Sequence, residues 1–259
     1  MPIDKEFAMT ETFPQALLDT LRQAQRITVL TGAGISAESG LPTFRDKLTG
    51  LWAHYRPEDL STPDAFRRDP RLVWEWFATH RAAMAMAAPN PAHQALVRME
   101  AAVPEFTLLT QNIDGLHQRA GSRAVVELHG NIARTKCFVE NLLVDSWEET
   151  GDVPPRCPRC SGLLRPDVVW FGELLPEQAL AKATAAAKQC DVFFSIGTSG
   201  IVEPAASLAY RALSRGATVV LINLDVVNDA SRQLYKINAP AGQVLPALVE
   251  AAWPTAAAS

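Results

Sequence analysis

Five short apolar runs set the limits on how this chain folds. ITVLT at 27–31, FTLLT at 106–110, AVVEL at 124–128, DVFFSIG at 191–197 and ATVVLINL at 217–224 read as buried strands. Helical spacing of apolar residues over 14–25, 92–102, 177–189 and 203–214 separates several of them. Strands alternating with helices imply βαβ units and a parallel sheet, hence an α/β fold. Nearly every run ends in a polar or glycine-rich cluster: TGAG, TQNIDG, LHG, GTSG, NLD. Ligands of open α/β sheets sit beyond the carboxyl ends of the strands, so these clusters are expected to gather along one edge.

Two regions break the alternation. Residues 47–91 carry a helical pattern rich in Trp, Arg and Ala, and residues 131–165 look irregular and hold three of the four cysteines. Both read as insertions into a chain whose 259 residues suit one large domain with a smaller module. A net charge of −4 leaves no basic footprint for nucleic acid. No apolar run approaches the roughly 18–20 residues of a membrane span. The opening MPIDKEFAMTETF is too acidic and too poor in apolar residues for a secretory signal. The expected location is cytoplasmic, where a disulfide framework is disfavoured.

Gly32-Ala33-Gly34-Ile35-Ser36-Ala37 fits a dinucleotide loop directly after the first strand. Gly32 and Gly34 would let the backbone approach a pyrophosphate; a plain tight turn is the competing reading. The ribose-binding acid usually found roughly 20 residues on has no counterpart, because the first insertion begins there. The loop instead continues as ESGLPTFRD. In TQNIDGLH, Asp114 alone would cap a short helix. Gln111 and Asn112 before it add groups suited to a carboxamide and ribose hydroxyls. His129, at a strand's carboxyl end and followed by Gly130, is a candidate general base. Cys157-Pro-Arg-Cys160 is half of a zinc ribbon, and Cys137 would begin the other half. Where the fourth cysteine is expected stands Glu140. Two readings stay open: a Cys₃Glu zinc site, or a metal-free remnant held by packing. Cys190, between a helix and a strand, reads as core.

The motifs GAGISAESGLPTFRD, TQNIDGLH, LHG, VVWFGE and GTSG, in this order, resemble a sirtuin from about residue 25 to 250. The resemblance implies a Rossmann-like, doubly wound parallel sheet over 1–46, 92–130 and 166–259. The smaller module would consist of a helical insertion over 47–91 and a zinc-ribbon-like segment over 131–165. It implies NAD as cofactor, zinc in the module, and acyl-lysine proteins or peptides as partners. Gly32, Ala33, Gly34 and Ser36 would lie along the pyrophosphate, and Phe44 and Arg45 on a loop closing over the nicotinamide ribose. Gln111, Asn112, Ile113 and Asp114 would hold the ribose and nicotinamide, and Gly197, Thr198, Ser199 and Asn223 the adenosine half. His129 and Asn112 would be catalytic. The implied reaction is acyl transfer from lysine to NAD, releasing nicotinamide and O-acyl-ADP-ribose. ADP-ribosyl transfer or NAD hydrolysis from the same activated ribose is the alternative.

By the same likeness Val168, Trp170, Phe171, Gly172 and Glu173 would pair with the substrate peptide by strand addition, with residues 200–203 supplying the opposite flank. VWEWFATHRAAM at 73–84 resembles the segment in which bacterial desuccinylases carry a Tyr and an Arg for the acyl carboxylate. Phe77 and His80 stand at those positions, so an acetyl or more apolar group is expected in preference to succinyl.

Overall fold

The computed structural model describes residues 13–42, 57–224 and 233–254. After α1 (Gln15–Gln23) and β1 (Arg26–Thr31), the chain enters a helical stretch of α2 (Pro57–Leu60), α3 (Pro63–Arg68) and α4 (Pro70–Met86). It returns through α5 (Pro91–Ala102), β2 (Glu105–Thr110), α6 (Leu116–Ala120) and β3 (Val125–Glu127). A two-stranded excursion follows, β4 (Gly130–Cys137) and β5 (Leu164–Val168). The remainder is α7 (Glu177–Gln189), β6 (Val192–Ile196), α8 (Ser207–Leu213), β7 (Thr218–Asn223), β8 (Leu234–Asn238) and α9 (Ala241–Ala252).

Six strands form a sheet in the order β3-β2-β1-β6-β7-β8, with every pairing parallel. The apolar runs of the sequence are continuous because both faces are covered. Ile27, Val29, Leu108, Phe194 and Val220 face α1, α5 and α9, packing on Leu21, Leu96, Met99 and Leu248. Leu30, Leu109, Phe193 and Val219 face α7 and α8, against Ala183, Ala187, Leu208 and Ala212. Each fully buried leucine contributes on the order of 1.5–3 kcal/mol, so the six-stranded layer is the dominant source of stability. Chain direction across the sheet reverses between β1 and β6: later strands add outward from β1 on one side and from β6 on the other. A crevice opens at the carboxyl end of such a switch point.

The inserted helices start on clear local signals. Thr62, Asp69 and Asn90 each accept a backbone amide hydrogen bond at the first turn, and Pro63, Pro70 and Pro91 follow them. The buried faces of α3 and α4 meet the β4–β5 pair in a separate core of Phe66, Val73, Trp76, Phe77, Ile132, Val168 and Trp170. The stretch expected to be irregular therefore contains an eight-residue strand, β4. Its pairing slips between Asn131 and Thr135, and this bulge breaks the alternation that would have revealed it. Residues 203–206 are a turn, so α8 begins later than expected, and no strand occupies 200–203. β8 and α9 are additional to the expected elements. Among the described residues no helix is long and apolar enough to cross a membrane.

Candidate active site at the carboxyl edge of the sheet

The strands end in register, with Thr31 beside Thr110 and Ile196, and Ile196 beside Ile222. The polar clusters are thereby delivered side by side. At the switch point the two glycine loops touch backbone to backbone. Gly32 donates to the Ile196 carbonyl at 3.0 Å, and Gly34 to the Gly197 carbonyl at 2.9 Å. A Cβ on Gly34 would lie 2.7 Å from Gly197 Cα, and one on Gly197, whose φ is +61°, would strike Ile35 N. Only glycine permits this approach. Ala33–Ile35 and Ala37–Ser39 form two 3₁₀ turns rather than a long helix. The loop therefore stays at the sheet edge, where its polar groups meet those of β2.

Asn112 is the joint between the loops. Its Nδ2 donates to the Gly32 carbonyl and to Ser36 Oγ, both at 3.1 Å. Ser36 Oγ in turn donates to Asp114 Oδ2 at 2.8 Å, while Asp114 Oδ1 accepts from Leu116 N at 2.9 Å to start α6. Burial pushes the Asp114 carboxyl up, against the pull of those two hydrogen bonds. Ile113 is half-buried, and its carbonyl accepts from Ile132 N at 2.9 Å, linking this segment to β4. On the far side of the switch point, Thr198 Oγ1 lies 2.8 Å from Ser195 Oγ, and its carbonyl accepts from Asn223 Nδ2 at 2.7 Å. Ser199 Oγ caps Ile201 N.

His129 Nδ1 lies 2.9 Å from the Gln111 carbonyl. A carbonyl only accepts, so Nδ1 carries the proton and Nε2 keeps its lone pair. Burial lowers the His129 pKa from its ordinary value, with the Gln111 carbonyl opposing, so the neutral imidazole is favoured. Gly130, at φ +78°, lets the backbone pass Asp167; a Cβ there would overlap the Asp167 carbonyl.

The segment after β5 is pinned from below. Arg165, 2% exposed, makes a bidentate pair with Glu173 at 2.5 and 2.9 Å, and its guanidinium sits 3.2 Å from the Trp170 ring centroid. Glu173 also accepts from Trp170 N at 2.8 Å. Its carboxylate thus turns inward, while Phe171 is exposed at the surface and Gly172 makes the bend at φ +86°. Val168 and Trp170 are buried in the module core. Phe77 lies in that same core, edge-on to Trp76 and 6.0 Å from Trp170. His80 stacks on Trp76 and its Nδ1 meets the Trp76 carbonyl at 2.8 Å. Arg81 is committed elsewhere, donating to the Ile132 carbonyl at 2.7 Å. Phe44 and Arg45 lie outside the described residues.

Several supporting groups take their role here from partners far away in the sequence. Glu38 accepts from Gly242 N at 2.6 Å, tying the first glycine loop to the start of α9. Asn90 Nδ2 donates to the Ile35 carbonyl and Ser39 Oγ at 2.7 and 3.1 Å. Beneath the site, His117 Nε2 meets Thr31 Oγ1 at 2.9 Å, and its ring lies 4.8 Å from that of His93. Burial lowers these histidines to about 3 and about 4, so both are neutral spacers.

In the module, one ligand atom each from Cys137, Glu140, Cys157 and Cys160 falls within 4.8 Å of all the others. Tetrahedral zinc with thiolates at about 2.3 Å needs ligand atoms about 3.8 Å apart. The Cys157 Sγ–Glu140 Oε2 separation is 3.8 Å, and the Cys137–Cys160 Sγ separation, at 3.4 Å, needs only a small outward movement of the thiols to admit the ion. Arg159 Nε holds Glu140 Oε2 at 2.9 Å, fixing the carboxylate beside the thiols. Cys190 is apart, buried against α7 and β6.

Comparison with known proteins agrees with this geometry. The Sir2 family model matches residues 32–204. The NAD-dependent protein deacylase 1 of Pseudomonas aeruginosa is 48% identical over 248 residues, covering 93% of this chain and 99% of that protein. The NAD-dependent protein deacylase of Pyrococcus furiosus is 47% identical over 237 residues, covering 89% and 94%. A Sir2 homologue crystallised with NAD superposes with a TM-score of 0.85 at 40% identity, over 95% of this chain and 96% of that one. A Sir2–p53 peptide–NAD⁺ complex gives 0.80 at 32% identity, over 91% and 97%. The glycine loops at the switch point, the Asn112–Ser36–Asp114 joint and the family match over the same residues lead to one conclusion: this chain belongs to the Sir2 family.

Proposed function

We propose that this chain is an NAD-dependent protein-lysine deacylase that prefers acetyl groups, acts weakly on succinyl-lysine and works in the cytoplasm. The observation that carries the reading is His129. A neutral imidazole with Nδ1 fixed by a backbone carbonyl and Nε2 unprotonated is a base already in its working tautomer. A module that only held a dinucleotide would not need one. When bound, NAD supplies a ribose carbon that takes the acyl oxygen as nicotinamide leaves.

The chain's own residues then divide the work. Gly32, Ala33, Gly34 and Ser36 lie along the pyrophosphate, the glycines by letting the backbone come close, since the Gly32 and Gly34 amides are already bonded to the Ile196 and Gly197 carbonyls and the Ser36 hydroxyl to Asp114. Gln111, Asn112, Ile113 and Asp114 surround the nicotinamide ribose. Gly197, Thr198, Ser199 and Asn223 take the adenosine half. His129 Nε2 accepts the proton of a ribose hydroxyl. Asn112, anchored to both Gly32 and Ser36, keeps the first loop at a fixed distance from that base. Phe44 and Arg45 would cover the ribose against water.

Substrate would lie between Val168–Glu173 and the turn at 200–203, with Phe171 and Ile201 exposed on the two flanks. Phe77 has no hydroxyl, and His80 is engaged by the Trp76 carbonyl, so neither grips an acyl carboxylate as a Tyr–Arg pair would. Cys137, Cys157 and Cys160 with Glu140 would hold zinc, which ties the ends of β4 and β5 to the loop at 157–160. The separate core of Phe66, Trp76 and Trp170 supports a large domain of 1–46, 92–130 and 166–259, with a small one from 47–91 and 131–165. The test is nicotinamide release from NAD with and without an acetyl-lysine peptide. Strong peptide stimulation, lost in His129→Tyr, is expected; release that ignores the peptide, or that survives the substitution, refutes the assignment.

A further inference from the structure

At the opposite, amino-terminal edge of the sheet lies a cavity of about 480 Å³. Its origin is in the strand pleat. Successive residues of a strand alternate between faces, so Arg26, Thr28 and Leu30 all face α7. So do Glu105, Thr107 and Leu109 on β2. The leucines end in the buried core under α7, whereas the first halves of the same strands are polar. Above them α7 presents Ala185 and Ala186, whose methyl groups fill little space. α6, which joins β2 to β3, has only five residues and packs against α5 instead. The amino-terminal end of β1–β3 on this face is thus left hollow, a little under 20 Å along the strands from the carboxyl-edge site.

Its charge runs against that of the molecule. Arg26, Arg123 and Lys182 line it, opposed by Glu105, in a chain whose net charge is −4. Arg26 and Glu105 are register partners, yet no ion pair joins them among the described residues. The side chains of Arg26, Glu105, Thr107, Lys182 and Gln189 have no hydrogen-bond partner among the described residues, and Arg123 lies 3.9 Å from Glu100. Asp191 accepts from the backbone amides of Gln25 and Arg26, both at 2.8 Å, and Glu100 from those of Arg123 and Ala124. Thr28 hydrogen-bonds the Ala186 carbonyl and so closes the inner wall.

We propose that this cavity is a second ligand site, for a small hydroxylated anion: a phosphate or carboxylate on a body of about pentose size. The volume falls within the range of small-molecule sites. Arg26 and Lys182 would hold the anionic group, with the Thr107 hydroxyl and Gln189 amide on the hydroxyls. Such a ligand would sit under the same β1 and β2 whose carboxyl ends carry Gly32 and Asn112. The inference does not depend on the reaction at the other edge.

The test is amide chemical-shift mapping of the full chain titrated with ribose 5-phosphate, and separately with gluconate as the carboxylate arm. Saturating shifts at Thr28, Thr107, Val126 and Ala186 are expected for at least one of them. Its Kd should weaken at least tenfold in R26A/K182A and on raising salt. Both substituted side chains are exposed, so thermal stability and the spectrum elsewhere should be retained. The arm that binds more tightly identifies the anionic group. Shifts confined to the carboxyl edge, no saturation with either compound, or an unchanged Kd in R26A/K182A would each overturn the proposal.

Discussion

Glu173→Gln removes one partner from the most deeply placed ion pair described in the molecule. The Arg165 side chain is 3% exposed and that of Glu173 24%. With the carboxylate gone, the guanidinium keeps the Val168 carbonyl at 2.7 Å and the face of Trp170, while its Nε already has no partner. Breaking a buried pair from one side costs about 3–5 kcal/mol, because the remaining charge cannot leave. Partial exposure of Glu173 puts this case at the low end, about 3 kcal/mol. At about 2–4 °C per kcal/mol for a chain of this size, the midpoint should fall by roughly 6–12 °C.

The sign of the pH dependence follows from the carboxyl. Burial alone would raise its pKa, but the Arg165 pair, the Trp170 amide and nearby Lys136 together hold it below the usual carboxylate range. The stabilisation is therefore full above the unfolded value of about 4.3 and lost as pH falls through the lower, folded one. The assay is thermal melting at neutral pH of four proteins: the parent, Glu173→Gln, Arg165→Met, and both together. The pair account predicts that Glu173→Gln is far less damaging when Arg165 is already methionine. Equal losses in the two backgrounds would refute it. The same variant should raise KM for acetyl-peptide more than it lowers kcat, since the disturbed segment carries Phe171.

Further expectations are as direct. Because burial lowers the His129 pKa, kcat/KM should hold its plateau to below about pH 6.5 before falling with acid, and an acid limb above neutrality would contradict the assignment. Elemental analysis should find one zinc per chain, lost in Cys157→Ser; Glu140→Cys should slow its removal by chelator, and equal rates would argue against Glu140 as a ligand. Phe77→Tyr with His80→Arg should raise desuccinylation relative to deacetylation in competition assays; an unchanged ratio would show that acyl choice is made elsewhere. Gly34→Ala drives a Cβ to 2.7 Å from Gly197 Cα, so calorimetry should show NAD binding weakened at least tenfold with the fold retained.

How much of this was readable in the sequence depends on whether the cause was local. β1, β2, β6 and β7 announced themselves because a parallel sheet covered on both faces demands unbroken apolar runs. β8, LYKIN, did not, since an edge strand tolerates Lys236 and Tyr235, and α9 carries Pro246 within an almost wholly apolar segment. β4 hid behind its bulge. In the candidate site, Gly32, Asn112, Asp114 and His129 stand out in the sequence because each follows a strand and has a distinctive neighbour. Glu38 and Arg165 were not: their meaning lies in Gly242 and Glu173, partners that folding supplies. The cavity on the other edge was equally silent, because alternate polar residues at the start of a strand look like ordinary solvent exposure.

The central claim is that NAD is consumed as an acyl acceptor rather than merely held. It is tested most directly by incubating the full chain with NAD and an acetyl-lysine peptide and following every product by mass. The account predicts deacetylated peptide, nicotinamide and O-acetyl-ADP-ribose in equal amounts, none of them formed by His129→Tyr. Nicotinamide and free ADP-ribose without peptide, or ADP-ribose attached to protein while the acetyl group stays on lysine, would contradict it.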